Sequence, residues 1–154
     1  MLRNYSAVIA DASCFILLDK IDNLLLLQKL FGTVTTSTEV AEEFGKPLPE
    51  WIQIKSAQDK NLQSALFLQV DLGEASAIAL AAEHQPSLLI IDDMKGRKLA
   101  QKLNLNITGT LGLILIAKRE GILPKIRPIF DKIQLTNFRI APGLLEDILK
   151  QAGE

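Results

Sequence analysis

The sequence is short of the residues that build disulfides and soft-metal sites. Its 154 residues contain a single cysteine, Cys14, and a single histidine, His84. One cysteine excludes an internal disulfide, which fits a reducing compartment, and one thiol with one imidazole cannot form the ligand sets that zinc prefers. Any metal site that this chain builds is therefore expected to use oxygen ligands. The lone histidine likewise supports no Ser–His–Asp arrangement.

Long apolar runs and a strong net charge are also missing. No uninterrupted apolar segment approaches the length of a membrane span, and the apolar run near the N-terminus is broken by Asp11. The formal net charge of −1 gives no global positive field for a nucleic acid or a membrane surface. We therefore expect a cytoplasmic protein without a membrane partner, in which any contact with nucleic acid depends on local basic clusters.

Aliphatic residues dominate what is present. Hydrophobic residues make up 48% of the chain and aromatic residues only 5%, which indicates a globular core with an aliphatic interior. No internal repeat, low-complexity tract or long linker divides the chain, and its length suffices to bury a core. The sequence therefore predicts one domain over residues 1–154.

Short apolar strands alternate with helical segments along the chain. The predicted strands are Ala7–Ala10, Thr33–Thr36, Trp51–Lys55, Ser87–Ile91 and Asn106–Thr108. Segments with helical spacing of apolar residues, or with an alanine-rich composition, lie between and after them, and Gly45 is expected to end the second helical segment. Because parallel neighbours need crossover connections, this alternation predicts an α/β fold with a parallel sheet covered on both faces.

Carboxylates directly follow two of the predicted strands. Asp11 comes after the first strand, and Asp92 and Asp93 come after the fourth, in the segment SLLIIDDMKGRK. In an open parallel sheet, sites form beyond the carboxyl ends of the strands, so these acids are expected at the same edge. The alternative interpretation is local: Asp11 caps the following helix, and the acidic pair forms a turn.

Two glutamates on helices can join these acids. Glu43 lies on the boundary of the apolar face of its helix, whereas Glu42 points away from that face. Glu74 begins the buried stripe of its alanine-rich helix in the first turn. Because Asp71 precedes Glu74 by three residues, the pair also matches a capping box, in which Glu74 merely satisfies backbone donors.

A cluster of carboxylates needs a cation or a proton, because packed like charges raise one another's free energy. Hard divalent cations suit such a cluster, since Mg²⁺ takes oxygen ligands and usually rests on a few carboxylates together with substrate phosphate. Carboxylates with such a metal favour phosphodiester chemistry, in which the ion lowers the pKa of an attacking water. The residues alone thus point to metal-dependent hydrolysis of a phosphodiester bond.

Hydroxyl and basic side chains lie close in sequence to the acids. Three hydroxyl residues adjoin strand ends, where each either orients a carboxylate or bound water or caps a helix: Ser13, Thr108 and Thr110. Three basic residues follow the acidic pair and either contact nucleic-acid phosphates or form a solvated helix face: Lys95, Arg97 and Lys98. No ladder of aromatic residues for stacking bases is visible, so the sequence does not support sequence-specific readout.

Five segments occur in an order that resembles PIN domains. They are VIADAS, EVAEEF, LGEASAIALA, LLIIDDMKGRKLA and ITGTLGLILIAKREG, which together extend over nearly the whole chain. The sequence looks most like the prokaryotic branch of that superfamily, which is related to the VapC-type toxins of toxin–antitoxin pairs. The resemblance implies a three-layer α/β/α sandwich with a central parallel sheet, Mg²⁺- or Mn²⁺-dependent ribonuclease activity and a cluster of carboxylate metal ligands.

The resemblance also assigns the metal ligands. Carried over motif by motif, they fall on Asp11, Glu43, Glu74 and Asp92, with Asp93 as an outer ligand. Many relatives have aspartate where this chain has Glu74, whose side chain is one methylene longer. Asp92 is the favoured inner ligand of the acidic pair because it directly follows the predicted strand.

The predicted function is therefore a metal-dependent endoribonuclease that hydrolyses phosphodiester bonds of single-stranded RNA. The resemblance implies that it is the toxin partner of a small antitoxin protein. The alternative is a non-catalytic binding module, a PIN scaffold that acts through a protein partner. Receiver domains and haloacid-dehalogenase-type phosphatases are disfavoured, because the first strand is followed by DAS rather than by paired acids or by Asp-x-Asp.

A homodimer is also expected. The aliphatic segments Leu24–Leu27 and Leu111–Ile116 carry more apolar side chains than one helix stripe needs. Relatives among PIN domains commonly dimerise, and a symmetric pair is the commonest assembly of soluble proteins.

Overall fold

Five parallel strands form one sheet in the computed structural model, which describes residues 4–154. The strands are β1 Ala7–Ala10, β2 Val34–Ser37, β3 Ile52–Lys55, β4 Ser87–Ile90 and β5 Asn106–Thr108. Their spatial order is β3-β2-β1-β4-β5, and every neighbouring pair is parallel. Helices cover both faces, so the predicted three-layer α/β/α sandwich is confirmed. Residues 1–3 of the predicted domain lie outside the described residues.

Nine helices connect and follow these strands within residues 4–154. They are α1 Ala12–Lys20, α2 Leu25–Phe31, α3 Thr38–Phe44, α4 Lys60–Phe67, α5 Leu72–Glu83, α6 Met94–Lys102, α7 Thr110–Arg119, α8 Arg127–Gln134 and α9 Leu144–Gln151. The first predicted helical segment is divided into α1 and α2, and Asp22 takes a left-handed conformation between them, with φ of 56°. Gly45 ends α3 in the left-handed conformation, as predicted. None of these helices combines the length and the apolar character that crossing a bilayer requires.

The centre of the sheet is buried on both faces. Ile9 and Ala10 of β1 and Leu89 and Ile90 of β4 have no exposed surface, as expected for parallel strands between two helical layers. Helix α5 packs against β1, β2 and β4, and every residue from 73 to 81 is buried. The alanine-rich composition of α5 follows from this position, because small side chains let the helix lie close to the sheet.

The two aliphatic segments that suggested a dimer are largely used in the core. In Leu24–Leu27, Leu26 and Leu27 are buried and Leu25 is 57% exposed. In Leu111–Ile116, every leucine is buried. These segments therefore leave little of the excess apolar surface from which the homodimer was inferred, and the homodimer stays a prediction.

The last residue ties the end of α9 to the ends of α7 and α8. The Glu154 carboxylate accepts hydrogen bonds from Lys118 Nζ at 2.7 Å and from the backbone N–H groups of Ile126 and Arg127 at 2.8 and 3.2 Å. The Lys118 hydrogen bond, helped by these N–H groups, lowers the pKa of Glu154 to about 2. This anchor holds α9 beside α7, and residues of both helices line one cleft.

Candidate active site

The two strand ends that carry acids are neighbours in the sheet. The Asp11 N–H donates to the Ile90 carbonyl at 3.0 Å, and the Ile91 N–H donates to the Thr108 carbonyl at 2.9 Å, immediately before Asp92. The strand order changes direction between β1 and β4, and ligands of open α/β sheets bind at such switch points. The structure therefore places Asp11 and Asp92 at the same edge, at the point where this fold forms a crevice.

Asp11 is a buried carboxylate that does not cap its helix. The residue is 6% exposed, and its side chain makes no capping hydrogen bond to α1, so the local alternative for this residue is not supported. The pKa of Asp11 is raised to about 7, mainly by burial. The charges of Glu43, Asp71 and Asp92 also raise this pKa, and a hydrogen bond from the Ala12 backbone N–H partly lowers it. Negative charge at this position is therefore unfavourable in the protein alone.

Asp92 is held by donors from two other parts of the chain. Its Oδ1 accepts from the Thr110 N–H at 2.7 Å, and its Oδ2 accepts from the hydroxyls of Thr110 and Ser13 at 2.7 and 3.0 Å. Ser13 and Thr110 thus orient a carboxylate in the structure and do not use their hydroxyls as helix caps. The Thr108 hydroxyl instead donates to the Gly109 carbonyl at 3.3 Å, and within residues 4–154 it forms no hydrogen bond with a site acid.

Glu74 is both a capping residue and a buried acid. Asp71 Oδ1 accepts from the Glu74 N–H at 2.8 Å, and Glu74 Oε2 accepts from the Asp71 N–H at 3.3 Å, so the capping box is confirmed. The other oxygen, Oε1, is buried and has no hydrogen-bond partner among residues 4–154. Burial and then the adjacent Asp71 raise the pKa of Glu74 to about 8, with smaller contributions from Asp93 and Asp11. Capping therefore accounts for only one of its two oxygens.

Glu43 reaches the same edge from α3 although much of the residue is exposed. Its Oε1 lies 2.7 Å from the point that a Cβ on Gly73 would occupy, and Asp71 Oδ1 lies 3.5 Å from that point. Burial and the charge of Asp71 raise the pKa of Glu43. Glu42 is exposed, as predicted. Asp71 is thus a further acid of this edge that the sequence interpretation treated only as a cap, and its spacing from Glu74 was the signal.

The acidic pair divides into an inner and an outer residue. Asp92 is half-buried, whereas Asp93 is exposed and caps α6. Asp93 Oδ2 accepts from the backbone N–H groups of Lys95 and Gly96 at 3.1 and 3.2 Å. This division agrees with the choice of Asp92 as the inner residue, and the ligand roles of both acids stay predictions.

The basic residues of α6 differ in their surroundings. Arg97 is half-buried, and its Nη1 donates to the Ile91 carbonyl at 2.9 Å. Arg97 Nη1 and Asp92 Oδ1 each lie 3.0 Å from the point that a Cβ on Gly109 would occupy. The other two basic residues are exposed on the helix: Lys95 and Lys98. Arg97 is therefore the one of the three that lies beside a site carboxylate.

The carboxylates are neighbours rather than a closed set of ligands. Across residues 4–154, no three acid, imidazole or thiol side chains form a group that could hold a metal ion. The chemistry of the donors nevertheless fits a hard divalent cation, because all of them are oxygens and the buried Glu74 Oε1 lacks a partner. The assignment of Asp11, Glu43, Glu74 and Asp92 as ligands stays a prediction.

Comparison with known proteins gives one match. A family model described as PIN domain matches residues 7–154, which is nearly the whole chain. No curated protein and no solved structure gives a significant match.

Proposed function

Because the chain belongs to the PIN-domain superfamily, whose members are generally nucleases that use divalent metals, we propose that it is a metal-dependent endoribonuclease. The observation that carries this proposal is the set of acids beyond β1 and β4, in which Asp11 and Glu74 are buried with raised pKa values. Buried carboxylates destabilise a fold unless something neutralises them. Acids with such perturbed pKa values, gathered in a crevice, are typical of a functional site.

The residues of the acidic edge would have separate roles in metal binding, carboxylate orientation and phosphate binding. Mg²⁺ or Mn²⁺ would be held by Asp11, Glu43, Glu74 and Asp92, with Asp93 as an outer ligand. A bound ion would supply an attacking water of lowered pKa and would offset charge that develops on the phosphate. Ser13 and Thr110 keep the Asp92 carboxylate in one orientation, because their donors occupy both of its oxygens. Arg97 and the exposed lysines of α6 would hold the phosphates of single-stranded RNA.

We further propose that the protein is the toxin of a type II toxin–antitoxin pair, that it acts as a homodimer and that a small antitoxin protein neutralises it. The support for this pairing is the order of the five sequence segments, which resembles the prokaryotic branch of PIN domains related to the VapC-type toxins. Expression of the chain alone should then arrest the growth of a host cell, and co-expression of a small neighbouring open reading frame should relieve the arrest. Growth without arrest, from a protein that cleaves RNA in vitro, would contradict the toxin assignment.

The nuclease proposal is tested with purified protein and labelled single-stranded RNA. Cleavage should require Mn²⁺ or Mg²⁺, stop with a chelator and be absent in Asp11→Asn. Added Mn²⁺ should raise the thermal midpoint of the parent protein but not that of Asp11→Asn, because binding to the folded state alone stabilises it. Glu42→Gln, an exposed acid of α3, is the control and should behave like the parent. Cleavage that survives exhaustive removal of metal would refute the mechanism.

A second candidate function is a non-catalytic binding module. One observation favours it: within the described range, residues 4–154, no three acids meet in an arrangement that could hold a metal. Such a module should bind a protein partner while showing neither cleavage nor a Mn²⁺-dependent change in thermal midpoint. The same two measurements therefore separate the candidates.

A further inference from the structure

A wide cleft extends from the acidic edge of the sheet along α7 and α9. Its volume is about 790 Å³, which is within the usual range for sites that bind small molecules. Asp92 and Asp93 are among the residues that line the cleft. Apolar side chains of the two helices, including Leu111, Leu115 and Ile148, also line it and form what we call its apolar floor. The cleft therefore combines carboxylates with an apolar floor.

A segment without helix or strand, residues 136–141, forms a wall of the cleft. Its Phe138 and Arg139 line the cleft on one side and a smaller cavity against α1, of about 240 Å³, on the other. The segment is tied to α1 by Lys20 Nζ, which donates to Asn137 Oδ1 at 3.0 Å. Phe138 is half-buried, and the wall contributes this aromatic side chain to the lining of the cleft.

Two arginines bring positive charge to this cleft. Arg97 lines it beside Asp92, and Arg139 is exposed on the wall formed by residues 136–141. Among the residues that the structure describes, the ion pairs are Lys46–Asp19 and Lys118–Glu154, so neither arginine is paired with a carboxylate. Arg97 already donates one N–H group to the Ile91 carbonyl. The Arg139 guanidinium forms no hydrogen bond or ion pair with residues 4–154, so its fork of N–H donors can bond a phosphate with two atoms.

We infer that this cleft is a nucleotide seat: it accepts one base of single-stranded RNA next to the scissile phosphodiester, while Arg139 holds the adjoining phosphate. This inference rests on the proposed function and adds a subsite to it. The apolar floor and the Phe138 ring suit the face of any base, because stacking does not depend on base identity. A base enters the cleft only when it has left a stacked helix, so the seat selects single-stranded RNA over duplex.

The charges of the cleft favour a nucleotide over an apolar peptide. The floor alone would suit the apolar face of an amphipathic helix. Such a peptide would gain little from Arg97 and Arg139, whereas RNA places an anionic phosphate beside each base. The cleft is also lined by Asp92, one of the acids at which the bond would be cut, so one strand can reach both. A protein occupant is the outcome that the experiment below must exclude.

The first experiment measures binding of fluorescein-labelled single-stranded RNA in chelator, where no cleavage occurs. Arg139→Ala should weaken binding about tenfold and reduce the slope of log affinity against log salt by about 0.7, the value for one lost phosphate contact on a single strand. The matched control is Arg119→Ala, an exposed arginine at the far end of α7, which should bind like the parent. With metal present, Arg139→Ala should raise KM and leave kcat within about twofold.

The second experiment asks whether a base occupies the cleft. An RNA with an abasic nucleotide next to the mapped cleavage position should bind the parent about tenfold more weakly than the intact RNA. Ala141→Trp fills the cleft from an exposed position, so it should weaken the intact RNA and abolish the difference between the two RNAs. Parent-like binding by both Arg139→Ala and Ala141→Trp would overturn the seat and assign the cleft to a protein partner.

The two proposals fail in different ways. RNA binding that depends on Arg139, without any cleavage in Mn²⁺, would overturn the nuclease proposal and keep the nucleotide seat. Cleavage that does not depend on Arg139 or on the abasic position would keep the nuclease and overturn the seat. A parent protein that neither binds nor cleaves single-stranded RNA would overturn both.

Discussion

Replacing Asp11 by asparagine should stabilise the metal-free protein at alkaline pH and abolish cleavage. Asp11 is 6% exposed, and burial together with neighbouring negative charge raises the pKa of its carboxyl group from 3.8 to about 7. Asparagine has nearly the same shape but no charge. It therefore removes the cost of ionising this position and keeps an oxygen that can accept from the Ala12 N–H.

The sign of the effect follows from proton linkage. A carboxyl group whose pKa is higher in the folded protein than in the unfolded chain adds stability below its ordinary pKa of 3.8 and loses it as the pH rises through about 7. At ~1.4 kcal/mol for each pH unit between these values, the largest loss is roughly 4 kcal/mol. Relaxation of the protein and entry of water reduce this figure, so we expect about 1–3 kcal/mol at pH 8. For a chain of this length, that is a rise in thermal midpoint of roughly 3–10 °C.

The assay is urea unfolding of both proteins in chelator between pH 4 and pH 8. The free energies of unfolding should differ least near pH 4, where the carboxyl group is protonated in the folded protein and still partly protonated in the unfolded chain, and should diverge in favour of Asp11→Asn as the pH rises. Glu42→Gln is exposed and should show no such divergence. A variant that is less stable than the parent at pH 8, or a difference in stability that does not change with pH, would refute the argument that ionisation of Asp11 destabilises the folded protein.

Three further substitutions test individual contacts. Thr110→Val removes the hydroxyl that donates to Asp92 at 2.7 Å; it should lower the unfolding free energy by about 1 kcal/mol and the cleavage rate roughly tenfold, and an unchanged rate would contradict the orienting role. Gly73→Ala places a methyl group 2.7 Å from Glu43 Oε1; it should stabilise α5 by about 0.5–1 kcal/mol yet slow cleavage, and a destabilised protein would show that Glu43 cannot move aside. Glu154→Gln should lower the thermal midpoint at pH 7. The difference in midpoint between the parent and the variant should shrink as the pH falls from 4.5, the ordinary pKa of a glutamate, towards 2, the pKa of Glu154 in the folded protein, because protonation removes the stabilising charge over this range. A difference that persists at pH 2 would exclude the charge as the cause.

Much of the fold could be predicted from local patterns. The predicted strands Ala7–Ala10 and Asn106–Thr108 coincide with β1 and β5, because each is a short run bounded by polar residues or by a helix start. Helices α4, α8 and α9 were not predicted. They have eight residues each, and helices of two turns gain most of their stability from packing. The apolar spacing of Ile129 and Ile133 in α8 is visible in the sequence, but its docking site is not.

The acidic edge could also be predicted, whereas several contacts within it could not. Asp11 and Asp92 follow buried strands, so the parallel topology alone brings them to one edge. The pairing of Asp92 with Thr110 depends on the turn after β5, and the part that Asp71 plays depends on how α3 and α5 meet. Arg139 lies in a segment without periodic pattern, so only the packing of residues 136–141 against α1 places it at the cleft.

The glycines beside the site matter for how a chain of this family could lose its activity. A Cβ on Gly109 would lie 3.0 Å from Asp92 Oδ1, and one on Gly96 would lie 3.1 Å from Glu74 Oε1. Neither glycine has a side chain, and this absence leaves room for the neighbouring carboxylate, Asp92 beside Gly109 and Glu74 beside Gly96. A related chain that keeps all of its acids but has acquired a side chain at one of these positions should therefore be suspected of being an inactive paralogue. A search for degenerate members that scores only the acids would overlook this route to inactivity.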